Sequence, residues 1–436
     1  MRQVILWVGL VSWCVFVGRA QALEPPFELS EWATAYLTES HAIDAETPLL
    51  AAGQPGLDAV MAFAKAQKLI DDTLVRQKID RLAGQRDAWA SGLFWHRDLD
   101  AALAEAEASG RPILSLRLLG RLDNDLSCAN SRFFRTALYA NQAIADYLRD
   151  HYVLHWESVR PVPVMTIEFG DGRTLRRTIT GNSFHYVLDP RGRMVDVLPG
   201  LYNPVVFQEL LQRAESFAQG SGGIDSDADF RRLLTEFHTE ASQQLSLTES
   251  MLLAAATPAL PDSAVWVEEP ANAFAADRLT IGKSVVEVAP LAAFQGIAVR
   301  DLPDDDATWD TLAAAYRDSS ALDETSRALF FEKEGRAAQA NEITVAKRRM
   351  EDPAIAALRR FEDSLARDTA MNEHRLHRQF HIYVTQGGET DDLEALTRYI
   401  YAELFLAPIN DPWYGLNPPD AYSALDGRGE WVEVDR

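Results

Sequence analysis

The sequence predicts a central α/β domain between a helical N-terminal region and a mainly α-helical C-terminal domain. The chain has 436 residues, more than the roughly 250–300 that one hydrophobic core usually holds. Buried-strand patterns and turn signals are concentrated between residues 91 and 219, whereas apolar residues at helical spacing dominate on either side. The composition, 47% hydrophobic and 25% charged, is that of an ordinary folded protein.

The N-terminus has the three parts of a secretory signal. Arg2 supplies a positive charge, Val4–Gly18 is an apolar run, and Ala20–Ala22 has the small-x-small cleavage pattern. We therefore expect residues 1–22 to be removed and the mature protein to be periplasmic or secreted. An uncleaved anchor is the alternative, but the run is shorter than the about 20 residues that cross a bilayer. No later segment predicts a membrane span, so we expect no stable membrane insertion after cleavage.

Residues 23–90 form the predicted helical N-terminal region. Within it, Leu57–Leu82 carries apolar residues at helical spacing with alanines between them.

The first half of the central domain, residues 91–219, alternates helix and strand. Asp98 is a helix cap, and Ile113 begins a continuous apolar run typical of a buried strand. The predicted elements are a helix over Leu99–Ser109, a strand over Ile113–Leu119, a long helix from about Cys128 to Asp150 and a strand over Val153–Val159.

The second half predicts two strand pairs and a closing helix. Gly170-Asp171-Gly172 and Asp189-Pro190-Arg191-Gly192 are strong turn signals between short apolar runs. The predicted elements are a hairpin of Val164–Phe169 and Thr174–Thr180, a pair of Ser183–Leu188 and Arg193–Leu198, and a helix over Pro204–Ala218.

A stretch of small and polar residues, Gln219–Asp227, predicts a linker. Residues 228–436 beyond it form the predicted helical C-terminal domain. Asp352-Pro353 is a helix start, since Asp caps and Pro fits the first turn.

The element order over residues 95–218 resembles the thioredoxin core. Trp95–Pro112 is similar to the opening of exported bacterial thioredoxin-like domains, and Tyr186–Arg193 is similar to their strand and turn after the substrate loop. Cys128, at a strand-to-helix turn, matches the position of their active cysteine. The resemblance implies a thioredoxin-like fold and thiol–disulfide chemistry. The resemblance does not extend to the flanking helical regions.

Two departures from that family bear on activity. The Cys-x-x-Cys motif is replaced by Cys128-Ala129-Asn130-Ser131, so a hydroxyl stands where the family has its resolving thiol. The loop that should carry a cis-proline is Gly181-Asn182-Ser183-Phe184, which has no proline. Residues 163–180 also read as an insertion before this loop. Ordinary two-cysteine cycling is therefore not expected.

The candidate catalytic residues are Cys128 and Ser131. A helix N-terminus favours a thiolate, and Ser131, one turn on, is placed to hydrogen-bond the sulfur. Arg132 or Arg135 would add positive charge, whereas Asp123 and Asp125 would raise the pKa of the thiol.

These features leave two hypotheses for the function. One is a single-cysteine exchanger acting on a protein or small-molecule thiol or disulfide, without a cofactor. The other is a non-catalytic binding protein in which a degenerate thioredoxin domain displays an interface and the helical domain holds the partner. Cys128 decides between them, because it is the only cysteine left after residue 22.

The net charge of −23 argues against nucleic-acid binding, because the phosphate backbone would be repelled. A third hypothesis is a metal-binding helical domain using His374, His377 and His381, which share one sector of a predicted helix next to Glu373. Spacings of three and four residues can place two imidazoles on one metal ion. No further ligand is visible in the pattern, so a polar or interfacial helix face is favoured and no metal is predicted.

Overall fold

The computed structural model describes residues 27–38, 43–255, 306–339, 353–414 and Leu416. The expected signal peptide, residues 1–22, lies outside the described residues. The described chain is mixed α/β, with a small sheet in the centre and helices towards both ends, which confirms the coarse fold class.

The N-terminal helices have a hydrophobic core of their own, separate from that of the sheet. Leu49, Leu57 and Ile79 are fully buried within it. These helices are α1 (Phe27–Thr38), α2 (Ile43–Ala52), α3 (Gln54–Ala66), α4 (Thr73–Ala83) and α5 (Ala88–Ser91).

The central sheet has four strands in the order β2-β1-β5-β6. β1 is parallel to β2 and antiparallel to β5, and β5 is antiparallel to β6. Every residue of β1 is buried, as expected of a central strand. The strands are β1 (Ile113–Leu119), β2 (Val153–Arg160), β5 (Phe184–Leu188) and β6 (Met194–Pro199).

Helices connect and flank these strands. The prediction of one long helix from Cys128 to Asp150 is wrong, because Asn141 adopts an extended conformation and its side chain caps a new helix by accepting the Ile144 N–H. The elements here are α6 (Leu99–Ser109), α7 (Ala129–Phe133), a π-helical turn (Phe134–Leu138), α8 (Gln142–His151) and α9 (Pro204–Ser221).

The predicted hairpin is present as a separate two-stranded sheet between β2 and β5 in the chain. Its strands are β3 (Val164–Glu168) and β4 (Thr174–Thr178), paired so that Ile167 lies opposite Leu175.

The C-terminal helices pack against the sheet. The predicted linker is shorter than expected, because α9 continues to Ser221 and α10 begins at Asp227. One hydrophobic cluster contains Val195 of the sheet, Phe230 of α10 and Phe380. The remaining elements are α10 (Asp227–Ala255), α11 (Asp306–Ala314), a 3-10 turn (Asp318–Ser320), α12 (Glu324–Gln339), α13 (Pro353–Met371), a π-helical segment (Asn372–His377), α14 (Arg378–Thr385), α15 (Leu393–Tyr399) and a second π-helical segment (Ile400–Leu404).

Among the helices in the described ranges, none combines the length and the apolarity needed to cross a bilayer.

Candidate functional site

Cys128 lies between β1 and α7, as the sequence predicts. It is the residue that precedes the first turn of α7, and its backbone N–H donates to the carbonyl of Leu119 at 3.1 Å. Its side chain is completely buried. The cysteine therefore has the expected position in the chain but no exposure to solvent.

The loop Gly181–Ser183 faces the cysteine. The sulfur of Cys128 lies 2.8 Å from the hydroxyl oxygen of Ser183. Gly181 has φ of +98°, and a Cβ added to it would lie 3.2 Å from Cys128 Cβ. A side chain is thus excluded here by both the backbone conformation and the space.

Ser131 does not contact the sulfur in the way that its spacing suggests. Its hydroxyl donates to the carbonyl oxygen of Cys128 at 2.9 Å, and its side chain is also fully buried. In this arrangement Ser131 stabilises the first turn of α7.

The charged residues near Cys128 in sequence have other partners. Arg132 donates to the hydroxyl of Thr178, 3.0 Å away. Burial lowers the pKa of Arg135. The negative charge of Asp87 is the largest effect that opposes this lowering. Asp123 forms an ion pair with Arg121 at 2.7 Å, and Asp125 forms one with Arg86 at 3.0 Å.

Two tyrosines from the C-terminal region lie over the loop that faces Cys128. Tyr401 donates its hydroxyl to the carbonyl oxygen of Asn182 at 2.8 Å. Tyr414 is fully buried, and its pKa is held well above its usual range by burial and by the nearby Cys128. Sequence reasoning missed both residues, since each is more than 200 positions away along the chain.

The three histidines of the C-terminal helices have different hydrogen-bond partners, although the rings of His377 and His381 lie 4.1 Å apart. His374 pairs with the hydroxyl of Tyr316 at 2.8 Å. His377 lies between Asp196, at 2.9 Å, and Glu373, at 3.3 Å.

Burial opposes protonation of His377, but these two carboxylates raise its pKa to about 9. The imidazole is therefore charged at neutral pH and bridges β6 to the helix that follows α13.

His381 has a partner that the sequence did not suggest. Its Nδ1 lies 2.7 Å from Nδ1 of His238 on α10. Burial, the largest cause, lowers the pKa of His238 to about 4 and that of His381 well below its ordinary value. Both rings are thus neutral, and His238 and Asp196 are the members of this cluster that sequence reasoning missed.

Comparisons against models of protein families, curated proteins and solved structures found no match to this chain.

Proposed function

We propose that this chain is an exported, non-catalytic binding protein that captures an extended acidic segment of a partner protein on the hairpin β3–β4. Exposed apolar side chains on this hairpin are the observation that carries the proposal. The hairpin projects from a domain that we take to be thioredoxin-like. The strand order β2-β1-β5-β6, with one parallel and two antiparallel pairings, supports that assignment.

The surroundings of Cys128 favour binding over catalysis. A thiol attacks a disulfide through an accessible thiolate sulfur. Here the sulfur is 0% exposed and contacts the Ser183 hydroxyl, while Tyr401 holds the adjoining loop. A thiol–disulfide exchange protein would have to move this loop away from the sulfur in every reaction cycle.

The hairpin itself has an apolar face that is partly exposed to solvent. Ile167 and Leu175 are opposite one another in the register, and both are exposed, Ile167 by 40%. Phe169, at the turn, is 55% exposed. Large apolar side chains grouped in this way on a soluble protein are typical of an interaction surface.

The backbone of the hairpin adds a second way to bind. Within the described part of the chain, β3 and β4 pair only with each other, so the outer edge of each strand has no strand partner. An extended segment of another protein can add to such an edge through main-chain hydrogen bonds, with alternate side chains giving specificity.

The positive charges on the hairpin indicate the chemistry of the partner. Arg176 and Arg177 lie on β4, and Arg173, which forms an ion pair with Asp171 at 2.7 Å, precedes it, although the whole chain has a net charge of −23. Arg177 is on the same face as Ile167, since it pairs with Met165 in the register. An extended segment that alternates aliphatic and acidic residues complements this surface.

Fluorescence anisotropy with defined peptides tests the proposal. A labelled peptide of alternating valine and glutamate should bind the mature protein, and one of alternating valine and lysine should not. Ile167→Asp should weaken binding at least tenfold, whereas Arg232→Glu, at an exposed site on α10, should change it little. Equal binding of both peptides, or no effect of Ile167→Asp, would overturn the proposal.

A second candidate function is thiol exchange through Cys128, favoured by its place before α7 and opposite the Gly181–Ser183 loop. Incubation with oxidised glutathione followed by intact-mass spectrometry tests it, with Cys128→Ser as the control. A glutathione adduct on the folded wild type alone would favour exchange over the binding function.

A further inference from the structure

A buried cluster of two histidines and one aspartate lies where α10 and α14 meet the sheet. Asp196 is on β6, His238 on α10 and His381 on α14, and all three are 0% exposed. One imidazole nitrogen from each histidine and one carboxylate oxygen lie within 4.8 Å of one another. Three elements distant in the chain thus place three metal-binding groups together.

The hydrogen bonds fix the state of the two rings. His238 Nε2 contacts the carbonyl oxygen of Val195 at 3.1 Å, so this nitrogen carries the proton. Nδ1 of His238 therefore carries a lone pair, and it lies 2.7 Å from Nδ1 of His381. A carbonyl that fixes one ring nitrogen while the other keeps its lone pair is the usual arrangement behind a metal-binding histidine.

Two acceptor atoms in this cluster have no hydrogen-bond partner among the described residues. They are Nε2 of His381 and Oδ2 of Asp196. Oδ2 also forms a long ion pair with Arg213, whose Nη2 is 3.6 Å away. Buried acceptors are nearly always satisfied in folded proteins, so these two atoms are suited to accept an electropositive ligand.

We propose that Asp196, His238 and His381 bind one divalent transition-metal ion, with zinc as the best fit. Two imidazoles and a carboxylate are donors that zinc accepts, and zinc donors lie about 2.0–2.2 Å from the ion. Ligand atoms of a tetrahedral ion at that radius are about 3.3 Å apart, and the ligand atoms of this cluster lie within 4.8 Å of one another.

The ion would be buried, because its three ligands have no access to solvent. It would tie α10 and α14 to the edge strand β6, where Asp196 is already oriented by His377 at 2.9 Å. This site is independent of the hairpin and of Cys128.

Metal content and spectroscopy of the full mature chain test this site. Protein refolded with zinc and dialysed should retain about one ion per chain by elemental mass spectrometry. Refolding with Co²⁺ should give visible d–d absorption that is displaced by Zn²⁺. Removal of the ion by a strong chelator should lower Tm.

Variants separate the site from the rest of the cluster. His381→Gln and Asp196→Asn should lose the ion and the Co²⁺ spectrum, whereas His374→Gln, from the same helical region but bonded to Tyr316, should keep both. If the ligand variants do not fold, the metal content, Co²⁺ spectrum and Tm of the wild-type protein test the proposal. Wild-type protein that retains no metal, gives no Co²⁺ spectrum and has the same Tm with chelator would overturn the proposal in favour of a simple hydrogen bond between the two histidines.

Discussion

The sulfur of Cys128 and the hydroxyl oxygen of Ser183 lie 2.8 Å apart in a completely buried contact. The two residues belong to different parts of the domain, the turn before α7 and the loop before β5. This contact leaves the sulfur no exposed surface, so the reactivity of the thiol reports how firmly the loop is held.

Alkylation of Cys128 should be slow in the native protein and fast in denaturant, because the sulfur is fully buried. Tyr414→Ala should speed the native reaction at least tenfold, since it removes a buried ring close to the thiol. The measurement is the rate of iodoacetamide labelling by mass spectrometry. Tyr36→Ala is the matched control, because Tyr36 is equally well packed but belongs to the separate N-terminal core. A labelling rate in the native protein near that of the unfolded chain would contradict the burial of the thiol.

Gly181→Ala should destabilise the protein more than Gly110→Ala. Both glycines have positive φ, +98° and +71°, so both changes strain the backbone by about 1–2 kcal/mol. Only at position 181 would the new methyl group press on neighbours, Cys128 Cβ and Leu119 Cδ2, each at 3.2 Å. Overpacking adds about 1–3 kcal/mol. Urea unfolding of the two variants measures the difference, and equal losses would mean that the loop yields to the methyl group.

Because of His185, the free energy of unfolding should fall as the pH is lowered. The ring is buried beside the hydroxyl of Tyr139, 2.7 Å away, and burial lowers its pKa to about 3. The unfolded chain binds this proton near pH 6.5 and the folded chain only near pH 3, so the stability contributed by the neutral ring is present above pH 6.5. It is lost progressively as pH falls from 6.5 towards 3.

His185→Gln measures that contribution, since glutamine can still accept the Tyr139 hydrogen bond. Between pH 6 and pH 4 its unfolding free energy should fall less steeply than that of the wild type, by up to about 1.4 kcal/mol per pH unit. His151→Gln is the control, because the side chain of His151 is 43% exposed. Parallel slopes for wild type and His185→Gln would show that the ring titrates in the folded protein as it does in water.

Phe230→Ala should destabilise the central sheet even though residue 230 lies beyond the predicted linker. Phe230 packs beneath the guanidinium of Arg193, 3.9 Å from the ring centroid, and against Phe217. Truncation of a buried phenylalanine costs about 3–5 kcal/mol. Leu247→Ala, at a position on the same helix that is 61% exposed, should cost less than about 0.5 kcal/mol.

Tryptophan fluorescence follows this unfolding, because Trp95 and Trp156 are buried in the cluster that contains the sheet. A shifted transition in Phe230→Ala would mean that the sheet and the C-terminal helices unfold together. An unchanged sheet transition would mean instead that residues 91–219 and the region after 227 fold independently.

The sequence by itself determined the mixed α/β class, the helices at both ends and the position of Cys128 before a helix. These features depend on local physics, namely apolar periodicity, turn residues and caps such as Asp98, which accepts the Ala101 N–H as expected. The break at Asn141 was missed because a strong apolar stripe continues across it. Export, the thioredoxin-like assignment and thiol exchange stay predictions.

Only the tertiary structure decided what surrounds the chemically important groups. Tyr401 meets Asn182 across 219 positions, and His381 meets His238 across 143. No periodicity or spacing relates such residues, because their contact depends on how helices from the C-terminal region pack on the sheet. The sequence therefore indicated a cysteine at a helix start and a row of histidines on one helix, whereas packing buried the first and gave each member of the second a different partner.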